Sequence, residues 1–476
     1  MLLSTYTFNK ALPEVFIILS QIKKHPLILG TILLTGAGII SRILGFLYRI
    51  FLSRTIGASG LGLYQLIFPV FTLCLAISAS GIQTAISRFV ASEENGEKYF
   101  HTGLLLSVSL SLIFSVGIYF LAPWIASDLL KEPRTEELLQ LMSFSLVPAC
   151  IHSCFNGYYY GRKKSTLPSV CQITEQLARV FGTLLIYQVL SSQGFPLEPI
   201  HAVWGLVISE VAGLLVILTG YLGSEHNFSN SFVDSVTQPY DITSFSHNIG
   251  SSLGSTLSPL LTMAFPLTLN HVLMTLSHSV EHLLIPQKLM EFGFSSDEAL
   301  GHFGILSGMA MSVIFFPAVI TNSLSVLLLP RIAEAKASGD SNQVIDTTKG
   351  ALCCGLAMGS LCTFIFLFSS EWIGKHLFDD PLAGFYVQIL SILCPFMYTS
   401  HLLSSIINGL GHAEVTLACN LSGCAIRIAA IWVSVPLYGM YAYIIAMILS
   451  HVVTLIELIV ILLLKYKGTI SKPNVA

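Results

Sequence analysis

Residues 27–52 read LILGTILLTGAGIISRILGFLYRIFL, with Leu27 at one end and Leu52 at the other. About 20 consecutive apolar residues cross a bilayer as a helix. This stretch is long enough, yet it carries Arg42 and Arg49. A guanidinium near the bilayer centre costs at least about 2.5–3.5 kcal/mol. Arg42, Gly45 and Arg49 fall at i, i+3 and i+7, so they share one helix face. Two cations on one face, with a glycine between them, imply a water-filled cavity that receives an anion. The competing reading is snorkelling towards a membrane face, which suits Arg49 near the span end better than the deeper Arg42.

The rest of the chain belongs to the same solvent. Of 476 residues, 53% are hydrophobic and 10% charged, where a soluble domain carries about 25% charged residues. Mean hydropathy is +0.75. These values define an all-α polytopic membrane protein and exclude a large soluble domain. The net charge of −3 is uninformative, because most charge lies in loops. All ten cysteines fall in apolar spans, where thiols act as small hydrophobes. No CxxC pair occurs, so neither a metal site nor a disulfide framework is expected. No glycine-rich nucleotide loop or GxSxG elbow is present, so no ATP, cofactor or nucleic-acid partner is expected.

Apolar windows place twelve helices near 28–51, 61–87, 101–123, 138–159, 167–190, 200–222, 259–285, 302–329, 350–370, 386–407, 414–435 and 440–464. The expected organisation is an N-terminal cytoplasmic or interfacial segment (1–27), a six-helix lobe (28–222), a polar cytoplasmic linker (223–249), a second six-helix lobe (250–465) and a cytoplasmic tail (466–476). With both termini cytoplasmic, fourteen basic residues fall in inner loops, five in outer loops and four in spans. That bias favours this orientation in a cell membrane.

The two lobes look like copies of one unit. RFVASEENGE from Arg88 matches RIAEAKASGD from Arg331. Phe68-Pro69 and Phe316-Pro317 lie upstream of these, five residues out of step. Asn156-Gly157 and Asn408-Gly409 end the fourth helices, and the fifth helices each bury an arginine, Arg179 and Arg427. Six helices per copy keeps both copies in the same orientation around a central cavity.

Buried polar residues add candidates. Gln172, Glu175 and Arg179 share a face at i, i+3 and i+7. Either Glu175 and Arg179 form an i, i+4 pair that stitches the lobe, or Arg179 faces the cavity and Glu175 tunes it. Arg427 has no carboxylate upstream in its own helix, which makes it the better candidate for an uncompensated cavity cation. His271, Thr275, His278 and His282 form a stripe with Glu281 beside it. That pattern fits an ion or proton relay, or hydrogen-bonded packing of neutral imidazoles. Zinc is a third reading that lacks a further ligand. Glu210, His451 and Glu457 suit paired structural roles. Asp379-Asp380 is read as a solvated loop pair.

Ser41-Arg42-Ile43-Leu44-Gly45-Phe46 with Tyr48-Arg49 resembles the first helix of the MOP exporter superfamily. Gly60-Leu61-Gly62-Leu63-Tyr64-Gln65, Phe68-Pro69, the stretch from Gly81 to Ser87 and Leu283–Leu289 are similar to its stage V sporulation protein B branch. Glu281 stands where relatives in this branch often carry aspartate. Lipid II flippases of the MurJ kind in this superfamily have fourteen helices, two more than are counted here. The resemblance implies a MATE-like fold and a non-enzymatic flippase for an undecaprenyl-pyrophosphate-linked saccharide, foremost lipid II for spore cortex peptidoglycan. Arg42, Arg49, Arg179 and Arg427 would hold the head group, with Gln172 and Glu175 behind them. Glu281, His278 and His282 would couple to H+ or Na+, or the membrane potential would drive transport. It further implies membrane lipids and a peptidoglycan polymerase as partners, and a spore-forming Gram-positive source. A flippase for another polysaccharide or teichoic-acid unit, a polyprenyl-phosphate enzyme and a non-transporting scaffold are the alternatives.

Overall fold

The computed structural model describes residues 26–93, 96–232 and 243–470, with side chains over 33–93, 96–223 and 256–464. The expected segments 1–25 and 471–476 lie outside these residues. Among the described residues the secondary structure is entirely helical.

The described residues form twelve long helical segments: α1 (26–56), α2 (58–92), α3 (Gly96–Leu129), α4 (Pro133–Gly161), α5 (Thr166–Ser192), α6 (Pro199–Phe232), α7 (Thr243–Phe292), α8 (296–337), α9 (Ser341–Phe378), α10 (Pro381–Gly409), α11 (Ala413–Val433) and α12 (Met440–Ile470). The chain turns between α1 and α2 at Gly57, whose φ of 71° is a left-handed value that glycine adopts without a Cβ penalty. Helix α8 is one segment in two pieces. Its pieces, Ser296–Phe315 and Ala318–Ala337, run alongside the single helix α10: His302 meets Tyr386, Tyr398 donates to the Ile314 carbonyl, and Ser405 donates to the Ser325 carbonyl. The break falls at Pro317, which has no N–H to give the preceding turn and crowds its carbonyl. In α2 the matching Pro69 sits inside a continuous helix.

Of the expected linker 223–249, residues 233–242 lie outside the described residues, and the described parts on either side are helical. Helix α6 continues to Phe232 and α7 starts at Thr243. No proline interrupts 223–232, so helical hydrogen bonding continues past the apolar span.

The repeat is visible in packing. A Cβ at Gly157 on α4 would lie 2.5 Å from the Gln83 carbonyl oxygen on α2. A Cβ at Gly409 on α10 would lie 2.9 Å from the Leu329 carbonyl oxygen on α8. In both halves the fourth helix thus rests a glycine directly on the backbone of the second.

The apolar core is single at one end of the molecule and double at the other. One cluster joins Leu61, Leu139, Phe303, Tyr386 and Tyr443 from both halves. Towards the opposite end it divides into a cluster around Ile86, Tyr158 and Ala264 and another around Ile332, Leu402 and Leu458. The N-terminal part of α7 packs on the first half, since Thr256 shares a hydrogen bond with Thr102. Its C-terminal part reaches the second half.

At the joined end, α2 and α8 touch backbone to backbone. A Cβ at Gly62 would fall 2.1 Å from the Leu300 carbonyl oxygen, so no larger residue fits there without moving a helix. Polar contacts ring this end. Arg134 donates to Glu132 at 2.6 Å and Asp297 at 2.7 Å, Ser59 donates to Asp297, and Ser296 donates to Glu132. Arg54 donates to the carbonyls of Leu377 at 2.7 Å and His376. Burial pushes the Glu132 carboxyl up, but the bonds from Arg134 and Ser296 outweigh it and hold the group below its ordinary value. Asp380 caps α10 by accepting from Leu382 N at 2.8 Å and Ala383 N. The Asp379-Asp380 pair therefore includes a helix cap rather than two solvated loop carboxylates.

Candidate functional site

Between the two divided cores lies a cavity that the helices line with polar side chains. Its first compartment, 390 Å³, has Arg42, Arg49, Arg179, Gln65 and Gln176 on its wall. A second compartment of 290 Å³ shares Arg49 and Gln65 with the first and adds His278, Glu281, His282 and Arg427. A third, 650 Å³, shares His278, Arg427 and His451 with the second and adds Asn322, His401 and Asn420. Shared lining residues make these three adjoining compartments of one polar chamber region bounded by both halves.

Arg42 and Arg49 face this chamber, as their spacing on α1 predicts. Neither has a carboxylate within ion-pair distance among the described residues. Arg42 meets only neutral partners: with the Asn322 amide oxygen turned towards it, the guanidinium donates at 2.6 Å, and Asn322 donates onward to His401 at 3.0 Å. Arg42 thereby bridges α1 to α8 in the other half.

Arg179 also lines the chamber, but the expected i, i+4 pair with Glu175 is not formed. Arg179 donates to Ser209 Oγ from Nε at 3.2 Å and from Nη2 at 3.1 Å, and lies 3.6 Å from Glu210. Glu175 turns away into the first half, where it lies 3.1 Å from His152 Nδ1. Glu175 and Arg179 share a face at i, i+4, but each side chain takes a partner on another helix, His152 on α4 and Ser209 on α6. The chamber face of α5 is therefore Gln176 and Arg179 rather than Glu175. Gln172 meets α1 through its backbone carbonyl, which accepts from Ser41.

Arg427 is not uncompensated. Its Nε donates to Glu281 Oε1 at 2.7 Å, Nη1 to Ser450 at 3.0 Å and Nη2 to Cys424 Sγ at 3.1 Å. Tyr443 donates to the same Glu281 oxygen. The carboxylate comes from α7, 146 residues earlier in the chain, so no inspection of α11 alone could show it. His278 lies 3.8 Å from Glu281, and His282 packs edge-on against Phe303. Both line the second compartment, whereas His271, at the head of the stripe, is exposed. Glu457 accepts from Ser422 at 2.7 Å, which fits a paired role. His451 does not fit one, because it opens onto the chamber.

Gln65, Gln176, Asn322, His401 and Asn420 were not singled out from sequence. Neutral amides and a lone histidine carry little signal when the search is for buried charge. Asn322 and Asn420 could have been found as rare polar positions within their spans.

The fold is shared with a solved MATE family transporter of the MOP superfamily in an inward-facing conformation, at a TM-score of 0.67 and 15% identity over 88% of this chain and 93% of that one. The chain belongs to the polysaccharide biosynthesis protein family, whose profile matches residues 27–286. It is similar to stage V sporulation protein B of Bacillus subtilis (strain 168), at 26% identity over 86% of this chain and 78% of that protein. It is similar to the lipid II flippase MurJ of the same organism, at 24% identity over 74% of this chain and 68% of that protein. A solved structure of lipid II flippase MurJ in an inward closed conformation superposes with a TM-score of 0.68, at 16% identity over 90% of this chain and 87% of that one.

Proposed function

We propose that this protein is a flippase that carries an undecaprenyl-pyrophosphate-linked saccharide, lipid II foremost, from the inner to the outer leaflet by alternating access. The observation that carries the reading is the pair of guanidiniums at Arg42 and Arg49, which face a chamber between the lobes with no carboxylate beside them. Such groups take a pyrophosphate through short charge-assisted hydrogen bonds and replace part of its hydration shell. Arg179 stands on the same wall and is held loosely enough to join them. The names of the relatives supply the substrate class, and the family profile leaves room for another lipid-linked polysaccharide unit.

The lysine and arginine bias supports an orientation with the divided end of the core at the cytoplasmic face. The chamber is then open inward and sealed outward by the ring of Arg54, Glu132, Arg134 and Asp297. The lipid tail stays in the bilayer while the head group enters. An inside-negative potential is worth about 2.3 kcal/mol per charge per 100 mV and drives the anionic head group outward. Arg427 and Glu281 occupy each other, so a role for either requires exchange. A cation that takes Glu281 releases Arg427 to the pyrophosphate, and loss of that cation restores the pair. Coupling then consists of competition for one carboxylate.

The test is flipping of fluorescent lipid II in proteoliposomes with and without an imposed potential. Transport that rises with an inside-negative potential and collapses in Arg42→Ala and Arg49→Ala is the expected result. Wild-type protein that is well folded but moves no lipid II, with or without potential, would overturn the substrate assignment.

A further inference from the structure

Away from the chamber, the first half holds a group of metal-ligating side chains that the transport reading does not use. His152 on α4 and Cys171 and Glu175 on α5 bring one imidazole nitrogen, one thiol sulfur and one carboxylate oxygen within 4.8 Å of one another. Glu175 Oε1 is the hub, 3.1 Å from His152 Nδ1 and 3.0 Å from Cys171 Sγ. On the far side of the imidazole, Nε2 faces Glu210 Oε2 on α6 at 3.2 Å. His152 Nδ1 and Glu210 Oε2 are buried, and although their neighbours lie at 3.1 and 3.2 Å, neither atom makes a well-aligned hydrogen bond. Buried polar atoms are almost always satisfied, so two close but misaligned contacts in one group call for an explanation.

We propose that His152, Cys171 and Glu175 bind a divalent transition-metal ion of the Zn2+ class, with Glu210 orienting the imidazole. The donor set of nitrogen, thiolate and carboxylate is the one such ions take, and a tetrahedral ion with bonds of 2.0–2.3 Å sets its donors about 3.3–3.7 Å apart. The present spacings reach that range by opening a few tenths of an ångström. Metal-bound histidine commonly gives its other N–H to a carboxylate, which is the place Glu210 holds. Three protein donors leave a tetrahedral ion one open position, and the site ties α4 to α5 with α6 joined through Glu210. His152 and Glu175 each keep 15% of the side chain exposed, which leaves an entry path.

Charge supports the same reading. With Cys171 as thiolate, Glu175 and Glu210 ionised and Arg179 beside Glu210, a divalent cation leaves the group neutral. Without metal, neutrality requires a proton on His152 and another on the thiol. Binding therefore releases both protons to the solvent, and affinity rises with pH. The four residues stand on three helices, and only Cys171 and Glu175, at i and i+4, share one, so the absence of CxxC does not bear on this group.

The test uses the purified full-length protein in detergent, stripped with chelator and titrated with Co2+. The expected result is about one Co2+ per chain, a near-ultraviolet thiolate-to-cobalt charge-transfer band, and proton release on binding. Cys171→Ser should abolish the band while the protein still elutes as a monodisperse species. Glu210→Gln should keep the band and weaken affinity on the order of 10–100-fold. Cys424→Ser is the control, because Cys424 sits in a second candidate group with His278 and Glu281. The proposal is overturned by a wild-type protein that shows no band, by a band that survives Cys171→Ser, or by one lost in Cys424→Ser. A proton-sharing cluster that takes no metal gives the first of these outcomes.

Discussion

Arg179 and Arg427 occupy the same place in the two copies of the repeat, yet they are held differently. Each donates to a serine one helix on, Ser209 in the first half and Ser450 in the second. The residue after that serine differs. In the first half it is Glu210, which lies 3.6 Å from Arg179 and also faces His152. In the second it is His451, and the carboxylate comes from Glu281 on α7, at 2.7 Å from Arg427 with Tyr443 donating to the same oxygen. The serine is the architectural constant. The carboxylate has moved from the residue beside the serine to α7, the first helix of the second copy. One arginine is therefore a loosely held cavity cation, and the other is half of a buried ion pair at the seam.

The largest effect that follows concerns the two carboxylates. Removing one partner of a buried ion pair costs about 3–5 kcal/mol, because the other charge is left uncompensated. Glu281→Ala should lower the apparent unfolding temperature in detergent far more than Glu210→Ala. Arg179 keeps both bonds to Ser209 when Glu210 is lost, whereas Arg427 loses its shortest bond with Glu281. A double-mutant cycle sharpens this: coupling between Glu281 and Arg427 should exceed that between Glu210 and Arg179 by more than 1 kcal/mol, well above the scatter of independent sites. Equal couplings would erase the distinction drawn between the halves.

A middle-sized effect separates free cations from paired ones. Arg42 and Arg49 have no carboxylate to lose, so their replacement should leave thermal stability near the wild-type value. It should weaken binding of a pyrophosphate-bearing lipid, since a hydrogen bond to a charged group is worth about 1.5–3 kcal/mol. Binding of labelled lipid II to Arg42→Ala in detergent should thus weaken on the order of tenfold or more. Arg427→Ala should show the reverse profile, with stability falling first. If Arg42→Ala unfolds as readily as Arg427→Ala, then Arg42 is a structural group and the comparison fails.

The same contrast shows what could be read from sequence. Twelve long helices, a six-and-six organisation and two cavity arginines on α1 are carried by local patterns: apolar length, text that recurs between copies, and a charge spacing within one helix. Pro317 is one of six span prolines that mark sites for a broken or kinked helix, and sequence does not tell which of them breaks: Pro69 in the matching copy leaves its helix unbroken. The Glu281–Arg427 pair was split into two unrelated roles, because proximity across 146 residues leaves no trace in spacing. His152 was passed over entirely. A single histidine in an apolar span looks like packing until the fold sets two glutamates and a thiol around it.

The smallest effect tests the constant rather than the difference. If the serine is what the repeat preserves, Ser209→Ala and Ser450→Ala should cost similar and modest amounts. Hydrogen bonds between membrane helices average about 0.6 kcal/mol in such measurements, because the unfolded chain in the membrane also finds partners. Both hydroxyls are fully buried, and both also donate to a carbonyl in their own helix, at 2.7 Å from Ser209 and 2.8 Å from Ser450. Alanine therefore removes an acceptor from the arginine without stranding a backbone group that lacks a helical partner. Paired unfolding curves for the two variants check this. Matching shifts would mean that both copies use the hydroxyl to aim a guanidinium. A much larger shift for Ser450→Ala would mean that this serine holds the seam pair in register, and that the second half depends on the whole network of Glu281, Tyr443 and Arg427.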